Sequence, residues 1–266
     1  MPEGHKLHRL ARDHRRDFRG RRVSVRSPQG RFADGAALLE GRELQDVAAV
    51  GKHLLYAFGS DLNWHVHLGL YGKFRPFRGA EPEVRGQVRV AFCTDNGGFH
   101  LVGPNQCDVL SDTEVQTLRE RLGPDPLDPR ADVRRFVTRV RKSRAAIGQL
   151  LLDQSVIAGV GNIYRADVLF RMGVHPLVPG RDVPEETLRL LWDLIVQLMR
   201  LGVKYNRIIT ADPARVGKTA GRLSRHERLL IYKADRCPEC LGEVEHFQVA
   251  GRRIDACPQC QPLGEA

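Results

Sequence analysis

Cys237-Pro238-Glu239-Cys240 and Cys257-Pro258-Gln259-Cys260 stand near the C-terminus with sixteen residues between them. Two such knuckles supply four thiolates, which suits one tetrahedral Zn²⁺ with no open coordination position. A closed site is structural: it lets a short hairpin hold its shape without a core of its own. Accidental spacing and a redox pair are the rival readings, and the paired spacing favours metal over both. Between the knuckles, Val244–Val249 and Arg252–Ala256 read as two strands. The turn Ala250-Gly251 then aims Arg252 and Arg253 outward, and an arginine on a rigid tip is suited to bidentate contact with phosphate.

Moving outward from the hairpin, residues 203–224 lack periodicity and read as a mobile loop. Before them the pattern is helical. Asp132–Lys142, Ala145–Gln154, Ile163–Met172 and Glu185–Leu201 carry apolar residues three and four apart, and the last is apolar on most sides, as a central helix must be. Gly159-Val160-Gly161-Asn162-Ile163-Tyr164 forms a glycine-rich turn into a helix with Asn162 at its cap. Exposed N–H groups and the helix dipole there favour an anion, although an ordinary tight helical corner reads the same way. Ser111–Gly123 is a short helix with a Ser111/Glu114 capping box. Gly123-Pro124-Asp125-Pro126-Leu127-Asp128-Pro129 cannot continue it and reads as a linker.

The first ~110 residues are β-rich behind one leading helix, Leu7–Phe18. Arg22–Arg26, His53–Phe58, Leu62–Leu68 and Gln87–Cys93 have strand character. Trp64, Val66 and Leu68 alternate with Asn63, His65 and His67, as in a half-buried strand.

The chain has 42 Lys plus Arg against 32 Asp plus Glu, a net charge of +10 and a pI of about 9.7. This balance favours polyanionic partners over an inert basic surface. No apolar run approaches the ~18 residues of a membrane span, and the N-terminus has no apolar signal region. Four of the six cysteines sit in the knuckles, and Cys93 and Cys107 read as buried free thiols. This points to a reducing, cytoplasmic setting. Gly217-Lys218-Thr219 looks like the tail of a P-loop, but Asp212 stands where the first glycine belongs, so no nucleotide cofactor is expected. The ten histidines show no HxxxH or HExxH spacing, which argues against a catalytic metal.

Once Met1 is removed, the chain begins with Pro2, a secondary amine, followed by Glu3 and Gly4. An α-amine has a pKa near ~8, so a useful fraction is neutral and nucleophilic. Attack on a sugar C1′ would give an iminium that has to be cationic. Read alone, Met-Pro is also an ordinary start.

Met1-Pro2-Glu3-Gly4, Gly51-Lys52-His53, the Gly159–Tyr164 turn and the four-cysteine finger occur in the order found in the formamidopyrimidine-DNA glycosylase / endonuclease VIII family. The chain resembles that family from Pro2 to Gln261. The resemblance implies an α+β multidomain fold. An N-terminal catalytic β-sandwich with a leading helix spans 1–122, and a linker spans 123–131. A helical domain with a helix–two-turn–helix spans 132–225, and a zinc finger spans 226–266. It also implies a monomeric, nucleoid-associated enzyme of bacterial type whose partner is damaged DNA, bound in the cleft between domains. The implied activity is a bifunctional glycosylase and abasic-site lyase of base excision repair, cutting by β,δ-elimination. Pro2 would be the Schiff-base nucleophile and Glu3 the acid that helps open the sugar. Lys52, Asn162 and Arg252 would contact phosphate, and Cys237, Cys240, Cys257 and Cys260 would hold one structural Zn²⁺.

A flipped nucleotide leaves a hole in the duplex. His67-Leu68-Gly69-Leu70-Tyr71-Gly72 offers Leu70 and Tyr71 as the wedge, with His67 beside them on the DNA. A core role for Leu70 and Tyr71 is the alternative. Leu70-Tyr71-Gly72 resembles the endonuclease VIII wedge. The segment Thr94–Phe99, taken as the second wedge loop, has no arginine, so oxidised pyrimidines are favoured over oxidised purines. The chain departs from the family at His5 and Lys6, where Pro and Glu are common, and at Gly69, where Gln is common. A positive Lys6 near the Pro2 amine would lower its pKa. Rival readings are an idle damaged-DNA-binding protein of the same fold, an oxidised-purine glycosylase, and a zinc ribbon fused to an unrelated β domain.

Overall fold

The structure, a computed structural model, describes residues 2–59, 61–249 and 251–263. Removal of Met1 and the Ala250 half of the finger turn therefore lie outside the described residues. The chain divides into two compact units, one of residues 1–3 and 7–121, the other of residues 4–6 and 122–266.

Helix α1 (Gly4–Phe18) leads the first unit, starting three residues earlier than its apolar periodicity indicates. Two four-stranded antiparallel sheets follow. One has the order β1 (Ser24–Arg26), β6 (Val88–Thr94), β7 (Gly97–Val102), β5 (Lys73–Arg78). The other has the order β2 (Asp46–Val50), β3 (His53–Ala57), β4 (Asn63–His67), β8 (Gln106–Leu110). Alternation along each strand sends one set of side chains to a shared core. Val25, Val90, Phe92, Phe99 and Leu101 come from the first sheet, and Leu54, Tyr56, Trp64 and Val66 from the second. Leu7, Ala11 and Phe18 of α1 join them. Trp64 stacks on Tyr56 at 4.6 Å, and Phe92 on Phe99 at 4.7 Å. A short helix, α2 (Ala33–Leu39), covers β1, and α3 (Asp112–Arg121) closes the unit. The capping box of α3 forms: the Ser111 N–H donates to Glu114 Oε2 at 2.8 Å, and the Glu114 N–H to Ser111 Oγ at 3.2 Å.

The second unit holds α4 (Val133–Arg141), α5 (Ile147–Leu150), α6 (Asn162–Arg171) and α7 (Glu185–Tyr205), then the hairpin β9 (Glu245–Val249) and β10 (Arg252–Ala256). One apolar cluster runs through helices and hairpin alike, from Phe136 and Leu191 to Val249 and Ile254. Three expectations are corrected here. The helix expected over Ala145–Gln154 is a single turn, because Gln154 gives its side chain to the following loop. The 123–129 stretch breaks the helix as expected, yet residues 123–126 are buried. Residues 203–224 are no mobile loop throughout. Their start completes α7, and Ile208–Ala211 is buried, with Thr210 bonded to the buried Asp167. Asp167 also accepts from the N–H groups of Leu230, Ile231 and Tyr232 at 2.9–3.0 Å. Burial raises its pKa, and those hydrogen bonds oppose the rise. Among the described residues no helix is long and apolar enough to cross a membrane.

Candidate functional site

In the first unit the site residues gather at one end of the second sheet. β2 and β3 pair from Val50↔His53, so Gly51-Lys52 is the whole turn between them. Gly51 has φ +57°, a left-handed conformation that glycine tolerates without strain. Lys52 is thereby presented at the sheet's end. His53 pairs directly with His67, the last residue of β4, so His67 lies at the same end. The chain then turns through 68–72, and Gly69 has φ +63°. Leu70 is 49% and Tyr71 85% exposed, which excludes the core reading for both.

The Thr94–Phe99 segment, expected beside Leu70 and Tyr71, lies away from them. Thr94 pairs with Gly97, so Asp95-Asn96 is only the two-residue turn between β6 and β7. Lys73, just past Tyr71-Gly72, pairs with Val102 at the far end of β7. The six residues of β7 span roughly 17 Å and separate the two features. The segment beside Gly69–Tyr71 is Gly103–Asn105. The Asn105 N–H donates to the His67 carbonyl at 2.9 Å, and a Cβ on Gly69 would meet Asn105 Cβ at 2.8 Å. This segment also lacks Arg and Phe.

His53, His65 and His67 share the sheet face that points away from the core, which sequence reading passed over. His53 Nδ1 and His65 Nε2 lie 2.9 Å apart, and the rings of His53 and His67 are 4.9 Å apart. Burial, followed by neighbouring positive charge including Lys52, pulls His53 down to about 3. Burial likewise lowers His65 to about 4, and His67 below its usual value. His53 and His65 are therefore neutral at pH 7. The signal in the sequence was His65-Val66-His67, a strand-period pair. Of the spare thiols, Cys107 is buried as read and pushed up to about 12, whereas Cys93 is only partly buried and pushed up to about 11.

In the second unit, the Gly4 N–H donates to the Gly159 carbonyl at 2.8 Å. A Cβ at Gly4 would stand 2.8 Å from both Gly159 Cα and Met199 Cε, so only glycine fits. Pro2 and Glu3 immediately precede this anchor. Pro2 is partly exposed and Glu3 is fully buried. His5 packs edge-on against Tyr164, and Lys6 Nζ donates to Asn206 Oδ1 at 2.9 Å beyond the end of α7.

The N-cap of α6 is Gly161, not Asn162. Asn162 is the first helical residue, and its side chain reaches sideways instead. Its Nδ2 donates to the Arg253 carbonyl at 2.9 Å, and its Oδ1 accepts from Arg165 Nη2 at 2.6 Å. Arg165 is fully buried and also donates to the carbonyls of Gly148 and Arg253 at 2.8 and 3.1 Å. One guanidinium thus ties the helix start to the hairpin tip. Sequence reading missed it, although a charge inside the apolar run Ile163–Phe170 was the available sign.

The tip separates its two arginines. Arg253 donates to the buried Asp255 at 2.6 Å and meets the His246 ring at 3.0 Å, so it is committed within the hairpin. Arg252 is exposed. Below the tip, ligand atoms of Cys237, Cys240, Cys257 and Cys260 lie within 4.8 Å of one another. Sulfur separations are 3.7 Å for Cys237–Cys260 and 3.4 Å for Cys240–Cys257. Four thiolates ~2.3 Å from one tetrahedral ion would stand about 3.8 Å apart, so the cluster fits a closed metal centre.

Known proteins match this chain over nearly its whole length. Residues 1–105 match the formamidopyrimidine-DNA glycosylase N-terminal domain, and residues 122–213 the formamidopyrimidine-DNA glycosylase H2TH domain. Endonuclease 8 1 of Mycobacterium tuberculosis is 44% identical, covering 98% of this chain and 100% of that protein. Formamidopyrimidine-DNA glycosylase of Thermus thermophilus is 32% identical, covering 86% of each. The crystal structure of Lactococcus lactis formamidopyrimidine DNA glycosylase, non-covalently bound to DNA containing an AP site, superposes with a TM-score of 0.81. It is 24% identical and covers 98% of this chain and 99% of that one.

Proposed function

The chain belongs to the formamidopyrimidine-DNA glycosylase family, and on that premise we propose that it is a bifunctional DNA glycosylase and abasic-site lyase that attacks with the Pro2 amine. The observation that carries this reading is the anchoring of Gly4 on Gly159. Two residues of chain reach at most ~7 Å, so the Pro2 nitrogen is tethered close to a glycine-rich turn suited to phosphate.

The chemistry follows from a secondary amine. Its lone pair attacks C1′ of an extruded nucleotide, the C1′–N bond to the base breaks, and the proton shed by the amine goes to the departing base. Glu3 protonates the ring oxygen as the sugar opens. The product iminium has no N–H to lose, so it stays cationic and draws electrons from C2′. Loss of a C2′ proton expels the 3′ phosphate, and a second elimination expels the 5′ phosphate. Water then releases the amine.

Lys52, His67, Arg252 and Asn162 serve the phosphates. The Asn162 amide has two N–H donors, of which the Arg253 carbonyl takes one. Leu70 and Tyr71 fill the vacated space in the stack. The four sulfurs would hold one structural Zn²⁺, whose contribution is to fix the hairpin that presents Arg252.

Oxidised pyrimidines are the favoured substrates. Support comes from the absence of Arg and Phe in Gly103–Asn105, beside the wedge, and from the 44% identity to a protein named Endonuclease 8 1 against 32% to a formamidopyrimidine-DNA glycosylase. Single-turnover excision on duplexes carrying an oxidised pyrimidine or 8-oxoguanine tests this. We expect the pyrimidine to be removed faster, leaving phosphate at both ends of the gap. Preference for 8-oxoguanine would overturn the substrate class. DNA binding without excision of either would leave the idle binder.

A further inference from the structure

We propose that His53, His65 and His67 form a second metal site, in the first unit, for one divalent transition cation held by imidazole nitrogen. The three residues sit on one face of adjacent antiparallel strands. His53 and His67 are direct register partners, and His65 lies two residues back on the same strand as His67. The alternate residues Leu54 and Val66 fill the core, so the imidazoles crowd together on the opposite face.

Two of the nitrogens already converge. His53 Nδ1 and His65 Nε2 are 2.9 Å apart, sharing one proton. Two imidazole nitrogens on a tetrahedral ion, each at ~2.0–2.1 Å, stand about 3.3 Å apart. A modest opening of the pair therefore replaces the shared proton with a metal. The third ligand is His67. Its Nδ1 is buried and has no hydrogen-bond partner, a cost that ligation would remove. Its ring must swing to bring Nδ1 onto the same point, which leaves the Nε2 N–H to donate to DNA phosphate. Among the described residues only the four cysteines converge to within 4.8 Å as they stand.

Entry and a further ligand are at hand. A cavity of about 250 Å³ opens onto His65, lined also by Asp108, Glu114 and Arg121. Asp108 is the register partner of His65 across β4 and β8. Three imidazoles select cobalt, nickel, copper or zinc over the hard ions magnesium and calcium. Lys52 and Arg121 set a positive field at the same histidines, so the site holds its ion less tightly than the four thiolates hold theirs.

The test is Co²⁺ titration of the full chain already carrying one Zn²⁺ in its cysteine site. The expected result is one further equivalent, with the visible bands of imidazole-bound Co²⁺ and no sulfur charge-transfer band. His65→Gln and His53→Asn should each weaken it on the order of 100-fold, since even outer-shell changes cost 10–100-fold. His226→Ala, at an exposed histidine elsewhere, should leave it unchanged. Should either histidine variant fail to fold, paramagnetic shifts of the His53, His65 and His67 ring protons in the unaltered chain decide. No second equivalent, or shifts confined to other histidines, would overturn the proposal.

Discussion

The amide of Gly4 donates to the carbonyl of Gly159 at 2.8 Å, joining the start of the chain to the glycine-rich turn before α6. The bond spans 155 residues of sequence and sits two residues from the proposed nucleophile. A Cβ at Gly4 would press on the Gly159 backbone, which cannot swing aside as the Met199 methyl can. We expect Gly4→Ala to lose about 1–3 kcal/mol in urea denaturation and to slow abasic-site cleavage roughly tenfold or more in single-turnover assays. Unchanged cleavage would show that the anchor does not position the amine.

The two tip arginines should respond differently. Arg252→Ala should weaken binding to all DNA sequences and flatten the salt dependence by about one unit, as loss of one phosphate contact does. Arg253→Ala should instead cost about 1 kcal/mol of stability, because it strips a charged hydrogen bond from buried Asp255. Salt titrations and thermal melts on both variants check the pair. Equal salt slopes for the two would refute the division.

Metal loss should act through the hairpin. Cys240→Ser, or chelation, should release one Zn²⁺ per chain and raise amide exchange across 245–256. The Asn162 and Arg165 side chains would lose the Arg253 carbonyl that orders them, so DNA affinity should fall although neither is a metal ligand. Retained protection in the metal-free chain would make the centre dispensable.

Tyr71 offers a clean separation of folding from function. It is 85% exposed, so Tyr71→Ala should change stability by no more than about 0.5 kcal/mol. Excision of a base from duplex DNA should drop, while cleavage at a pre-formed abasic site should suffer less. Equal losses on both substrates would remove Tyr71 from the wedge.

What the sequence disclosed was local. Four cysteines at metal spacing, the capping box of Ser111 and Glu114, and the two finger strands each announce themselves within a few residues. So did the exposure of Leu70 and Tyr71, because Gly69 and Gly72 bracket the pair in a turn. What it hid was set by distant partners. β5 and β8 lack a clean alternation, and their pairing with β7 and β4 defines them. Arg165 and Asp167 look like ordinary helix charges until their partners, tens of residues away, come into place. The neighbour of the 68–72 turn, Gly103–Asn105, is separated from it by the whole of β5, β6 and β7 and was invisible to local reading.

The most direct measurement is borohydride reduction of the protein mixed with abasic-site DNA, followed by peptide mapping of the adduct. The account predicts one covalent complex attached through the nitrogen of Pro2, from chains lacking Met1. Attachment to a lysine side chain instead, or normal DNA binding with no adduct at all, would contradict it.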